Sequence, residues 1–266
     1  MCELEVLCAT MYQTDFSKIT EMNIQSDVIF ANQADRYSHE EFEFAEYTAK
    51  MVTTTQRGVG KNRNLALSYA TANICIFADD DVRYIDSYRD RVIAAFEEVP
   101  DADVIIFNLT SQSQRIQRQN KRVKKCSKWN MLGYGTYRIA FKLSKIHKAN
   151  IWFTQLFGGG CKYASGEDSL WLLEAIRKGL KIYTHPLVIG EVKQEDSTWF
   201  KGYNEEYFFG RGTWLQAAFP KIKYLLLFYY MFRLKNLSIL PANKMISYMV
   251  QGIKAYKNNL SYKEWK

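Results

Sequence analysis

The chain is poor in the residues that build stapled, linker-rich or membrane-crossing proteins. Five cysteines occur in 266 residues, at positions 2, 8, 75, 126 and 161. Their number is odd, no C-x-x-C is present, and Cys8 and Cys75 lie inside apolar runs. A disulfide framework and a zinc site are excluded on that pattern, and a reducing compartment is expected. Four prolines and 14 glycines are too few for a long low-complexity linker. The longest apolar run, Tyr224 to Phe232, is about half of the ~20 residues needed to span a bilayer. The acidic opening Met1-Cys2-Glu3-Leu4-Glu5 has no signal-peptide pattern, so a cytoplasmic protein is expected. No internal repeat is evident.

What is present is the composition of a folded protein. Hydrophobic residues make up 47% and charged residues 24%, which excludes a disordered chain, a collagen-like fibre and a coiled coil. The length is near the upper end of what one core supports. Aromatics reach 15%, enough for flat binding surfaces or a membrane interface. The net charge of +8 conceals an uneven distribution. Residues 1–103 hold 19 acidic and 9 basic side chains, whereas residues 104–166 hold 12 basic and no acidic ones. Residues 207–266 are basic again, with 10 cations and one acid. Two separate basic blocks point to anionic partners: a phosphorylated ligand, nucleic acid or an anionic membrane face.

Short apolar runs at residues 4–10, 27–32, 50–55, 73–78 and 104–109 read as strands, with helices near 17–25, 61–69 and 88–98 between them. Alternating strands and helices predict an α/β fold with a mostly parallel sheet, in which ligands bind at the carboxyl ends of the strands. Residues 111–135 are polar, basic and aperiodic. A strand at 137–142, a loop with Gly158-Gly159-Gly160, a helix at 167–178 and an extended stretch at 181–192 follow. From Trp214 the pattern is one of aromatic, basic helices.

Three motifs carry chemistry. Phe77-Ala78-Asp79-Asp80-Asp81 ends a buried strand, and three adjacent carboxylates there call for a cation or for hydrogen-bond donors. Mg²⁺ or Mn²⁺ held with substrate phosphates would serve, and a solvated acidic turn is the plain alternative. Alternation along an extended backbone would put Asp79 and Asp81 on one face and Asp80 on the other. Gly166-Glu167-Asp168-Ser169 opens an amphipathic helix, where the acids either favour the helix dipole or supply Asp168 as a general base. Arg57-Gly58-Val59-Gly60-Lys61-Asn62-Arg63-Asn64 is neither a P-loop nor a dinucleotide fingerprint. Its glycine turn and cations still suit a diphosphate, unless they are ordinary helix-surface charges.

In this order the motifs resemble those of the family 2 glycosyltransferases with a GT-A fold. Tyr137-Arg138-Ile139-Ala140-Phe141 and Asp196-Ser197-Thr198-Trp199-Phe200 are similar to the forms used in bacterial capsule and surface-polysaccharide synthesis. The resemblance covers roughly residues 3–213. It implies a Rossmann-like nucleotide-sugar-binding catalytic domain at 1–213 and a helical, membrane-associating extension at 214–266. It further implies an inverting, metal-dependent transfer from a UDP-sugar to a hydroxyl of a glycan or lipid-linked acceptor. Thr10, Met11 and Asn32 would line the nucleotide pocket, and Arg57 and Arg63 would lie beside the diphosphate. Asp79 would contact the nucleoside side of the donor with Asp80 beside it, and Asp81 would bind Mn²⁺ or Mg²⁺. Asp168 would be the catalytic base, with Glu167 and Trp199 near the acceptor.

Asn32 stands where the family often has an acidic residue, and the processive Q-x-x-R-W signature is absent, so a single-addition enzyme is expected. His185, beside Pro186, is either an extra metal ligand or a structural residue. The basic stretch from Arg115 to Lys128 carries no nucleic-acid-binding signature, so no nucleic-acid partner is expected. A mobile loop near the donor, contact with anionic lipid phosphate and a simple solvated loop all remain open for it. Leu225–Phe232, flanked by Lys221, Lys223, Arg233 and Lys235, suits a helix lying peripherally on the inner face of the cell membrane. Packing on the catalytic domain is the alternative. Two other functions compete: a sugar-phosphate nucleotidyltransferase and a non-catalytic basic binding module.

Overall fold

The computed structural model describes residues 3–111, 118–193 and 202–266. The chain divides into two compact units, Met1–Gln155 with Glu167–Asp196, and Leu156–Gly166 with Ser197–Lys266. The boundary expected at 213/214 thus falls inside a helix of the second unit.

The strands of the first unit are β1 (Leu4–Met11), β2 (Asp27–Gln33), β3 (Ser38–Phe44), β4 (Tyr47–Thr54), β5 (Ile74–Asp79), β6 (Val82–Tyr84), β7 (Val104–Ser111), β8 (Lys124–Lys125), β9 (Ile139–Lys142) and β10 (Ile182–Val192). Its helices are α1 (Lys18–Glu21), α2 (Val59–Tyr69), α3 (Tyr88–Glu98), α4 (Leu143–Lys148) and α5 (Glu167–Arg177). Among the described residues they form one sheet in the order β3-β4-β2-β1-β5-β9-β7-β10-β6, with β8 beside β10. The block β4-β2-β1-β5 is parallel, as is β7 with β10. Antiparallel β9 separates the two parallel groups.

Register fixes the functional edge. Asp79, Ala9, Ala31 and Val52 lie level across four parallel strands, so the carboxyl ends of β5, β1, β2 and β4 open on one side. Side-chain alternation then divides β5 between two layers. Ile74, Ile76 and Ala78 pack with Tyr88, Val92 and Phe96 of α3. Phe77 faces the other way, 4.7–5.4 Å between ring centroids from Phe141, Phe153 and Trp171 of α5. Asp79, two residues on, shares the Phe77 face and is delivered to the start of α5.

Most strands fall where the hydrophobic runs predict them, with three instructive differences. The helix expected over 17–25 is one turn, because Asn23 turns left-handed at φ 54° and its amide donates to Tyr84 O and Asp86. β3 escapes an apolarity criterion: Glu40, Glu41 and Glu43 alternate with phenylalanines on an exposed edge strand, a charged edge that resists stray pairing. The strand expected at 137–142 starts at Ile139, after a 3₁₀ turn over Thr136–Arg138.

The second unit contains α6 (Glu205–Ala218), α7 (Lys223–Leu234), α8 (Ala242–Lys257) and α9 (Tyr262–Trp265). Glycines bring α6 and α8 into backbone contact. A Cβ on Gly212 would stand 2.0 Å from Met249 O, and one on Gly252 2.0 Å from Phe209 O. No described helix is long and apolar enough to cross a membrane.

Candidate active site

Arg63 is the centre of the site. It projects from α2 into the first unit, where only 5% of its side chain is exposed. Its Nη2 donates to Asp79 Oδ1 at 2.9 Å, and Nη1 donates to Glu167 Oε1 at 3.1 Å and Asp168 Oδ1 at 3.0 Å. Its guanidinium also lies 5.4 Å from the Phe153 ring centroid. Burial alone would lower the Arg63 pKa, but the attraction of Asp79, Asp168 and Glu167 overcomes it and leaves the group firmly protonated. One cation thereby ties the acidic strand end to the acidic helix start. Three carboxylates take up its Nη donors, while its Nε is buried with no hydrogen-bond partner among the described residues.

The glycines of this segment serve geometry. Gly58 adopts φ 119° and donates its N–H to Gln33 Oε1 at 2.8 Å. A Cβ at Gly60 would meet Thr154 O at 2.4 Å, so only glycine lets α2 approach that closely. Asn62 donates to Thr10 O and Ala31 O at 3.1 and 2.7 Å, pinning α2 to the ends of β1 and β2. The sequence alone does not single out Asn62 or Gln33.

Asp168 lies in the first turn of α5. Its Oδ1 accepts from Arg63 and from the Thr136 hydroxyl. Burial, then the neighbouring Glu167 charge, raises its pKa above the ordinary carboxylate range, while Arg63 and Thr136 oppose the shift. Thr136 carries no motif, and only the fold reveals it.

The carboxylate triplet splits. β5 ends at Asp79, which pairs with Arg63, while Asp80 and Asp81 follow in the turn before β6. Asp80 accepts from the Thr10 hydroxyl. With Asp81, Lys18, Glu21, Arg83 and Lys193, Asp80 lines an open cleft of about 540 Å³. Burial and the charges of Asp79 and Asp80 push the Asp81 carboxyl up to about 6. Asp81 Oδ1 is buried with no hydrogen-bond partner among the described residues. An unsatisfied hard oxygen beside like charges fits a divalent cation held by one or two carboxylates plus substrate phosphates. Among the described residues no three metal-binding side chains cluster to hold an ion by themselves.

The remaining expected residues are placed less centrally. Met11 is exposed at the end of β1. Asn32 is fully buried: its Oδ1 accepts from Gln13 N, and its Nδ2 donates to Gln13 O and Thr53 Oγ1. Those bonds hold the loop after β1, so the amide is spent on structure. Arg57 stays at the surface, paired with Asp35, donating to Ala34 O and lying 5.4 Å from the Tyr12 ring centroid. Trp199 lies outside the described residues.

His185 is not brought to this site. Its Nε2 faces Glu98 Oε2 at 3.2 Å and its Nδ1 accepts from Leu187 N at 3.1 Å. Asp81 is reached from the far end of β10, where Lys193 N donates to Asp81 O. Eight extended residues separate the two positions, on the order of 25 Å along the strand. The ring is a structural residue of the β10 bulge.

Residues 28–153 match the family model for glycosyl transferase family 2. A glycosyl transferase family 2 domain therefore lies within the first unit. Solved structures agree on the GT-A fold. S. aureus TarS residues 1–349 in complex with UDP-GlcNAc superposes with a TM-score of 0.62 at 11% identity, covering 98% of this chain and 93% of that one. The same TarS fragment with UDP gives 0.58 at 13% identity over the same shares. Mannosyltransferase PcManGT from Pyrobaculum calidifontis, in complex with GDP-Man and Mn²⁺, gives 0.51 at 12% identity, over 96% and 87%. No curated protein matches the chain by sequence. With the family match, the non-catalytic module and the nucleotidyltransferase are set aside.

Proposed function

We propose that this glycosyltransferase moves a sugar from a UDP-sugar to a hydroxyl of a lipid-linked glycan acceptor, with inversion and with Mn²⁺ or Mg²⁺, during surface-polysaccharide synthesis. The observation that carries the proposal is the Arg63 tie, which sets the triplet end Asp79 and the helix-start pair Glu167–Asp168 on one guanidinium. An inverting displacement needs charge offset at the leaving diphosphate and a base on the opposite face of the sugar. Asp81, with Asp80 beside it, would hold the cation, which when bound offsets charge growing on the leaving group. Thr10 keeps Asp80 in place, and Arg57 is the exposed cation available to the nucleotide. Asp168, raised in pKa by burial, takes the acceptor proton near neutral pH. Arg63 and Thr136 orient its Oδ1, and Glu167 assists at the acceptor side.

The second unit supports peripheral attachment to an anionic membrane at the cytoplasmic face. Tyr224, Leu225, Phe228, Tyr229 and Phe232 stand exposed on α7, while Leu227, Met231 and Leu234 are buried. Exposed apolar and aromatic residues at i, i+1, i+4, i+5 and i+8 make one face, flanked by Lys221, Lys223, Arg233 and Lys235. The 214–266 extension keeps its proposed role within this unit.

Calorimetry with UDP tests the donor site, with and without Mn²⁺, in the wild type and in Asp81→Asn. Binding that requires Mn²⁺ and vanishes in the variant supports the reading. Equal binding by both proteins refutes the Asp81 assignment. A product that keeps the donor's anomeric configuration by NMR refutes inversion.

A further inference from the structure

Outside the Asp80–Asp81 cleft, the first unit contains a second built pocket whose charged lining residues are all cations. Arg118, Lys121, Arg122 and Lys124 surround a cavity of about 170 Å³ with Asn120 and Tyr134 in its wall. None of these four cations forms an ion pair among the described residues. The sequence explains why: residues 104–166 contain no acid at all. Four like charges brought together without a carboxylate repel one another unless an anion joins them.

The cavity is anchored from beneath. Asn120 donates through Nδ2 to Ile106 O and through its backbone N–H to Asn108 Oδ1, both at 2.8 Å, and its Oδ1 accepts from Tyr134 OH at 2.7 Å. Buried Arg138 donates to Phe107 O, Arg118 O and Asn108 Oδ1 at 2.7–2.8 Å. The guanidiniums of Arg118 and Arg138 lie 5.1 and 5.0 Å from the centroid of the Tyr134 ring. A solvated loop needs no such foundation, whereas a preorganised anion site does. The volume equals that of nearly six waters at ~30 Å³ each, room for a phosphate group with part of its hydration.

The position identifies which substrate carries the anion. Tyr134 is two residues from Thr136, whose hydroxyl donates to Asp168, so the pocket wall and the base's partner are at most ~7 Å apart along the chain. The cleft at Asp80 and Asp81 is separate and of mixed charge, its three acids facing Lys18, Arg83 and Lys193. We propose that this cavity binds a phosphate group of the acceptor, holding it on the Asp168 side of the reaction; the assignment to the acceptor rests on the glycosyltransferase reading above.

The test uses the full chain and inorganic pyrophosphate in EDTA, which removes any divalent cation that would bridge the probe to Asp80 and Asp81. The wild type is expected to bind pyrophosphate, and the triple variant Lys121→Gln, Arg122→Gln, Lys124→Gln to bind at least tenfold more weakly. UDP with Mn²⁺ should bind both proteins within twofold, which also shows that the variant is folded. Unchanged pyrophosphate affinity in the variant overturns the proposal. So does a wild type that ignores pyrophosphate but binds phosphatidylglycerol vesicles over phosphatidylcholine vesicles through these three residues, because the pocket then serves bilayer headgroups. A wild type that binds pyrophosphate here but no UDP with Mn²⁺ overturns the donor reading and the attribution to an acceptor, and leaves the anion pocket standing.

Discussion

Replacing Asp81 with asparagine should stabilise the ligand-free protein at neutral pH. The Asp81 carboxyl is raised from 3.8 to about 6 by burial and by Asp79 and Asp80. A raised carboxyl favours the protonated form in the fold, so its stabilising contribution is full below pH 3.8 and is lost as the pH climbs through about 6. Above that, the folded protein carries an ionised group that the unfolded chain would solvate better. The gap corresponds to about 3 kcal/mol, and partial exposure to solvent reduces it to about 1–2 kcal/mol. Asparagine keeps the shape, leaves the same buried oxygen unpartnered and removes the charge. The variant should therefore melt about 3–6 °C higher than wild type at pH 7.5, and the two should converge at pH 4. Scanning calorimetry in EDTA measures both. The order should reverse with Mn²⁺ and UDP, which stabilise only a protein able to bind them. A variant that melts at or below the wild-type temperature at pH 7.5 in EDTA would falsify the argument that Asp81 is held against its ionisation preference.

Three further expectations rest on separate contacts. Arg63→Gln leaves three carboxylates without their shared cation and should cost about 3–5 kcal/mol in urea unfolding at pH 7.5; the loss should shrink at pH 4.5, where Asp168, raised to about 7, is protonated, and a pH-independent loss would contradict the tie. Asp168→Asn should lower kcat by roughly 10²–10⁴ while UDP-sugar affinity stays within twofold, and a parallel fall in donor affinity would move Asp168 out of the base role. Gly252→Ala puts a Cβ against Phe209 O and should destabilise the second unit by about 2–3 kcal/mol, whereas Gly210→Ala, with nothing within 4 Å of the new Cβ, should be tolerated; equal melting of the two variants would refute the α6–α8 contact.

The parallel strands were legible because β1, β5 and β7 are buried on both faces and read as mostly apolar runs, broken in β1 by Glu5 and in β7 by Asn108. The triplet and the G-E-D-S segment announced themselves through charge in unusual places. What the sequence could not convey is who pairs with whom. Arg63 looks like any helix-surface cation until the fold turns it inward, and Asn32 looks like a ligand residue until its amide is seen holding Gln13. Thr136 acts through a hydrogen bond to a partner 32 residues away, and Asn62 through bonds to partners 31 and 52 residues away, which no local pattern encodes. The same holds for His185, whose apparent metal chemistry dissolves once Glu98 and Leu187 N take its nitrogens.

The Arg63 tie joins positions 16 residues apart on one side and 104 and 105 apart on the other. A nascent chain that has not yet delivered Glu167 and Asp168 has a cation destined for the interior and only Asp79 to meet it. Assembly of the catalytic residues is thus the same event as docking α5 on the sheet, so chains that stop short of α5 are left both inactive and poorly folded. Quality control by the cell's proteases would then remove immature enzyme without needing to recognise its activity.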